Sequence, residues 1–206
     1  MGSKDWIVTN DGRCEPHPSL RDWDLLRENY YFHQFLSEII DILNQAHPET
    51  DEWDLLPQIR MRVRQLVMNS YWVRTRYTTP NPQTGVGLLT LYDEIGYPLT
   101  VQNEVRASDT ASTIHNHGTW GIIAVISGKE EHTFWRRAPV DGFPDRIKQV
   151  GRKVLTSGDI LSFMPDAIHQ VKAIAPEPTL NFCLYGDTRP QSRFRFDPIS
   201  QTAKQF

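Results

Sequence analysis

Residues 113–128 read TIHNHGTWGIIAVISG, and residues 158–169 read GDILSFMPDAIH. In an extended strand the side chains at i and i+2 point to the same face. His115 and His117 therefore aim two imidazoles to one side, near enough to share one ion. A third ligand has to come from another strand. His169 is the natural candidate, because it follows the turn at Pro165 and opens the next apolar run.

Outward from these stretches the pattern is uniform. From Tyr71 onward, short runs rich in Val, Ile, Leu, Thr and aromatics are separated by Gly, Pro, Asn and Asp. The runs predict strands over 73–78, 87–92, 101–106, 112–117, 121–127, 130–136, 149–154, 159–164, 169–173 and 179–185. So many strands with no helix between them predict a mainly β fold, an antiparallel barrel or jelly roll. The tail after Gly186, with Arg193-Phe194-Arg195-Phe196, predicts an edge strand or a segment packed across the barrel.

Before Tyr71 the period changes. Phe32, Phe35, Leu36, Ile39, Ile40 and Leu43 recur at helical spacing, and His47-Pro48 ends that helix. Ile59, Val63, Leu66 and Val67 predict a second helix, with Pro57 in its first turn. Residues 1–70 are thus read as an irregular start and helices that pack on the barrel. Residues 71–206 are the barrel, in one structural unit.

Charge and composition exclude several classes. The net charge is -3 with both signs dispersed, so no basic stripe exists to track a phosphate backbone, and nucleic acid is not an expected partner. Cys14 and Cys183 are far apart and form no disulfide framework, which fits a reducing compartment. The first twenty residues are polar and broken by prolines, and no run reaches the roughly 18 apolar residues of a membrane span. The expectation is a cytoplasmic protein without membrane contact, as a monomer or small homo-oligomer. His17, His33, His47 and His132 fall in the irregular start, the helices or an outer strand, and are read as surface or packing residues.

HNHGTWGIIAVISG resembles the first motif of the cupin superfamily, and GDILSFMPDAIH resembles the second. The resemblance spans roughly 71–186 and implies a double-stranded β-helix barrel with His115, His117 and His169 on the metal. Cupins usually add a glutamate ligand seven residues before the closing glycine of the first motif. Gly121 stands there, so a three-histidine site is implied. That departure, with HNHGTWG and IHQV, is similar to the thiol dioxygenases: cysteine dioxygenase and, more closely, the bacterial 3-mercaptopropionate dioxygenases. It implies Fe(2+), although Zn, Ni or Mn can occupy the same imidazoles in a purified sample. The implied activity is a non-haem iron dioxygenase that uses dioxygen to oxidise a small anionic thiol to a sulfinate.

The thiol dioxygenases carry a Ser-x-His-x-Tyr series on the last barrel strand. Here the segment is Asn181-Phe182-Cys183-Leu184-Tyr185. Tyr185 is retained and is expected to donate a hydrogen bond in catalysis. Cys183 stands in place of the histidine, facing substrate or filling core. A crosslinked cysteine–tyrosine cofactor is not expected, because Gly121 and Ile122 occupy the cysteine's region. Cysteine dioxygenase also holds the substrate carboxylate with an arginine on an early strand. Arg76 or Arg74, on one face of the run at 73–78, is the expected anchor, and Trp120 is expected to wall the pocket. The alternatives are another metal-dependent cupin oxygenase of the dicarbonyl-cleaving type, and a non-catalytic metal- or ligand-binding cupin.

Overall fold

The computed structural model describes residues 5–17, 29–46 and 52–206, so the helix stop read at His47-Pro48 lies outside them. The chain opens with β1 (Asp5–Val8), β2 (Cys14–Pro16), α1 (Phe32–Gln45), α2 (Glu52–Asn69) and α3 (Tyr71–Thr75). The barrel continues with β3 (Val86–Asp93), β4 (Thr100–Arg106), β5 (Ile114–His115), β6 (Gly121–Ser127), β7 (Lys129–Arg137) and β8 (Ile147–Thr156). It ends with β9 (Ile160–Phe163), β10 (Ile168–Ala173), β11 (Thr179–Tyr185), β12 (Phe194–Asp197) and β13 (Thr202–Gln205).

Two sheets form. One has seven strands in the order β2-β1-β9-β6-β11-β4-β3, and the other has six in the order β13-β12-β5-β10-β7-β8. From β4 to β12 the chain passes back and forth between them, with β7 and β8 the only consecutive pair in one sheet. That winding is the jelly roll expected of a mainly β cupin barrel. Gly128 makes the sharpest of these crossings, between β6 and β7, at φ 89°. A Cβ there would stand 2.8 Å from Thr179 Cα, so both the left-handed backbone and the close approach require glycine.

Strand alternation splits the apolar residues into two layers. Ile122, Ala124, Phe182 and Leu184 face outward and join Phe35, Ile39, Ile59, Val63 and Leu66 of α1 and α2 in one cluster. Ile123, Val125 and Cys183 face inward with Phe134, Leu161 and Phe163. The unbroken run IIAVI therefore reflects a strand covered on both faces, by helices on one side and by the second sheet on the other.

Three expectations are corrected. The start of the chain is not irregular throughout: β1 pairs in parallel with β9, and β2 pairs with β1. The strand expected at 73–78 is instead α3. Ser70 caps its start by accepting from Val73 N at 3.3 Å, and Asn103 of β4 donates to the carbonyls of Val73 and Arg76. The local Val73-Thr75-Tyr77 alternation loses to these caps, one of which comes from thirty residues downstream. Finally, β5 is only two residues long, because Asn116 turns its side chain to another segment. Among the described residues, no helix is long and apolar enough to cross a membrane.

Phe35 is fully buried and its ring meets Phe182 edge-on at 5.9 Å, so it couples α1 to the barrel wall. Phe35→Ala should cost about 3–5 kcal/mol, read as a lower denaturation midpoint at unchanged secondary structure.

Candidate metal centre

The β10–β5 register sets His169 directly opposite His115. His117 lies two residues beyond β5, where the backbone is held by Gly118 N donating to Pro165 O at 3.2 Å. Their ring centroids form a near-equilateral triangle of 4.8, 4.8 and 5.1 Å. One ligand-type nitrogen from each lies within 4.8 Å of the others, and His117 Nε2 is 2.9 Å from His169 Nε2. His115 donates Nδ1–H to Thr113 O at 2.9 Å, which leaves its Nε2 lone pair for the centre.

Burial, then the positive neighbours Arg193 and Arg106, pushes the pKa of His115 down to about 4. Burial and the adjacent imidazoles push His117 and His169 well below the usual histidine range. All three are neutral at pH 7, which is the form that binds a metal. The donor set fits a divalent ion: three imidazoles in van der Waals reach of one point, with no carboxylate among them. Gly121 explains the missing glutamate in space. A Cβ at Gly121 would stand 2.8 Å from the Tyr185 ring, which stacks on His117 at 4.7 Å.

The centre forms the floor of a cavity of about 370 Å³, whose wall includes Glu104, Arg106, Asn181, Tyr185 and Arg193. Burial, reinforced by Cys183 and Glu104, raises the Tyr185 pKa, so its phenol stays protonated and able to donate. Arg106 is buried and already spends one Nη on Glu104 at 2.6 Å. Arg193 makes no ion pair among the described residues, and its buried Nε has no hydrogen-bond partner. Its guanidinium lies 4.2 Å over the Phe206 ring, which itself borders His115 at 6.2 Å.

Asn116, the residue between the two histidines, fixes this arginine. It donates to Ser192 O at 2.7 Å and accepts from Phe194 N at 2.8 Å, gripping the backbone on both sides of Arg193. Alternation along HNH thus sends two rings to the metal centre and the intervening amide to the segment that carries the cation.

Several expected residues lie elsewhere. Arg74 and Arg76 are exposed, on α3 and at its C-cap, and do not border the cavity. The expectation of a shared strand face fails because that run is helical. Trp120 is buried on the other side of the wall, in the cluster with the helices, where a Cβ on Gly186 would collide with its indole. Cys183 does not border the cavity. It is core, packed with the inward-facing apolar residues, and burial raises its thiol pKa well above the usual value.

His132 is the residue that sequence reading placed wrongly. It is 0% exposed and sits inside the barrel. Its Nδ1 is 3.4 Å from His169 Nδ1, and its Nε2 is 2.8 Å from Glu130 Oε1. Asn181 donates to the other Glu130 oxygen at 2.8 Å. Burial opposes the charge on Glu130, but the bonds from His132 and Asn181 outweigh it and hold its pKa below the ordinary carboxylate value. The available signal was the alternation of Glu130, His132 and Phe134, all buried, on β7.

No protein-family model matches this chain, and no curated protein matches it. Solved structures do. A cupin 2 conserved barrel domain protein from Salinispora arenicola CNS-205 is 19% identical over 55% of this chain and 83% of that one, with a TM-score of 0.40. An RmlC-like cupin from Shewanella frigidimarina NCIMB 400 is 16% identical over 59% and 92%, with a TM-score of 0.42. A recombinant oxalate oxidase in complex with glycolate is 13% identical over 60% and 61%, with a TM-score of 0.43. These neighbours are cupins or cupin-type enzymes, and at such identities the chemistry has to be read from the site itself.

His115→Ala, His117→Ala and His169→Ala should each sharply lower the divalent-metal content found by elemental analysis, since each removes one of three imidazoles. The apo-protein should also lose stability as pH falls from about 6.5 toward about 4. In that window the unfolded chain takes up a proton at His115 that the folded site refuses. Denaturant titrations at pH 7 and pH 5 measure the difference.

Proposed function

We propose that this protein is a non-haem iron dioxygenase that adds both atoms of dioxygen to the sulfur of a small anionic thiol, giving a sulfinate. What supports the reading is the pairing of an all-imidazole donor set with Arg193, which makes no ion pair among the described residues, on the same cavity wall. Three neutral imidazoles bring no ligand charge to a divalent ion, and Arg193 adds a cation to the cavity wall, so the cavity favours an anionic substrate. Iron(II) held by His115, His117 and His169 would supply the redox chemistry that lets dioxygen react with a thiolate.

The chain's own residues bind and orient. Arg193 offers a planar fork that matches a carboxylate, and Asn116 fixes the backbone on either side of it. Phe206 backs the guanidinium and restricts its swing. Tyr185 is kept protonated and donates a hydrogen bond to the substrate beside His117. Cys183 lies in the core, packed beside Tyr185. Its neutral thiol, and that of the partly buried Cys14, suit a reducing cytoplasmic setting.

Oxygen uptake by iron-loaded protein with 3-mercaptopropionate and with cysteine tests the reading, with the sulfinate identified by mass spectrometry. Arg193→Ala should raise KM strongly, and Arg193→Lys should recover only part of the loss, because an ammonium makes no bidentate contact. Arg76→Ala should leave the kinetics unchanged. Uptake with neither thiol, with iron bound and the fold intact, would favour a dicarbonyl-cleaving oxygenase or a binding protein instead.

A further inference from the structure

Glu130 and His132 extend a buried polar chain behind His169 and do not line the cavity. The direction of this polar chain is fixed by hydrogen-bonding capacity. Glu130 has both oxygens engaged, Oε1 with His132 Nε2 and Oε2 with Asn181 Nδ2, each at 2.8 Å. An ionised carboxylate only accepts, so His132 donates Nε2–H and presents a lone pair at Nδ1. That lone pair faces His169 Nδ1 at 3.4 Å, which must then be the protonated nitrogen of its ring. His169 is left with its lone pair on Nε2, the atom 2.9 Å from His117 Nε2. The two imidazoles lie nearly parallel, at 13°.

Charge points the same way. Glu130 is 0% exposed, and among the described residues no Lys or Arg makes an ion pair with it. A buried carboxylate without a compensating cation costs several kcal/mol. Arg106 acts on it only through space. A divalent ion held at the other end of the two imidazoles would supply the missing compensation.

We infer that Glu130 and His132 are positioning residues for the metal centre: they fix the tautomer and ring orientation of His169 and return, at one remove, the negative charge that a glutamate ligand would have brought. The inference rests on the three-histidine reading of the site. It assigns no catalytic contact to either residue.

Co(II) serves as the probe, followed by chelator competition for Kd and by the visible d–d spectrum of the loaded protein. Glu130→Gln keeps shape and removes charge. His132→Phe keeps a ring and removes the acceptor for His169. Both should weaken Co(II) binding about 10–100-fold and shift the d–d bands. In His132→Asn the side-chain oxygen falls near the former Nδ1, so it should recover part of what His132→Phe loses. A merely structural role would lower the apo-protein's melting temperature and leave the Co(II) spectrum and Kd unmoved. That result in folded Glu130→Gln would overturn the inference while the wild type binds normally. Wild-type protein that takes up no Co(II) would overturn the metal centre itself, and this inference with it.

Discussion

β10 lies between β5 and β7, and its register with both neighbours governs everything that the barrel interior can do. Against β5, His169 faces His115 directly; against β7, it faces Phe134, with His132 on the diagonal. One imidazole therefore touches the ligand pair on one side and the Glu130–His132 pair on the other. Because side chains alternate with period 2, a slip of one residue in either ladder would turn His169 outward and dissolve both contacts at once. The apolar layers of the facing sheet, filled to zero exposure at Ile122, Phe163 and Phe182, are what make such a slip costly.

The interior carries an unusual load of polar groups for so small a barrel. Glu130, His132, Asn181, Asn103 and Arg106 are all buried. Asn181 of β11 reaches Glu130 of β7, and Asn103 of β4 reaches the carbonyls of Val73 and Arg76, while Arg106 and His132 bond to Glu104 and Glu130 on their own strands. The bonds that join different elements favour one arrangement of the strands. A comparable device ties the helices on: Asp5 of β1 is buried between Arg60 and Arg64 of α2. The seven-stranded sheet is thus held to its helical cover by charge as well as by the Phe35–Phe182 contact.

Space and chemistry are linked at Gly121. The absence of a side chain there removes a carboxylate from the ligand set and admits the Tyr185 ring against His117. A glutamate at that position and a stacked tyrosine on β11 exclude each other sterically. The anionic charge moves instead to Glu130, two hydrogen bonds from the centre, and Arg193 shares the cavity wall with the Arg106–Glu104 pair.

By itself the sequence determined the local periods: the i, i+2 pair of His115 and His117, the strand runs around 122–126 and 180–184, and the two long helices. These are readable because side-chain direction in a strand or helix depends only on spacing. Tertiary structure decided what depends on partners distant in the chain. Arg74 and Arg76 left the site because Asn103 caps a helix where local alternation suggested a strand. Arg193 entered it because Asn116 grips the chain on both sides of it, 76 and 78 residues away. His132 moved from an outer strand to the heart of the barrel because β7 pairs with β10, and strand pairing is a long-range choice that no local pattern encodes.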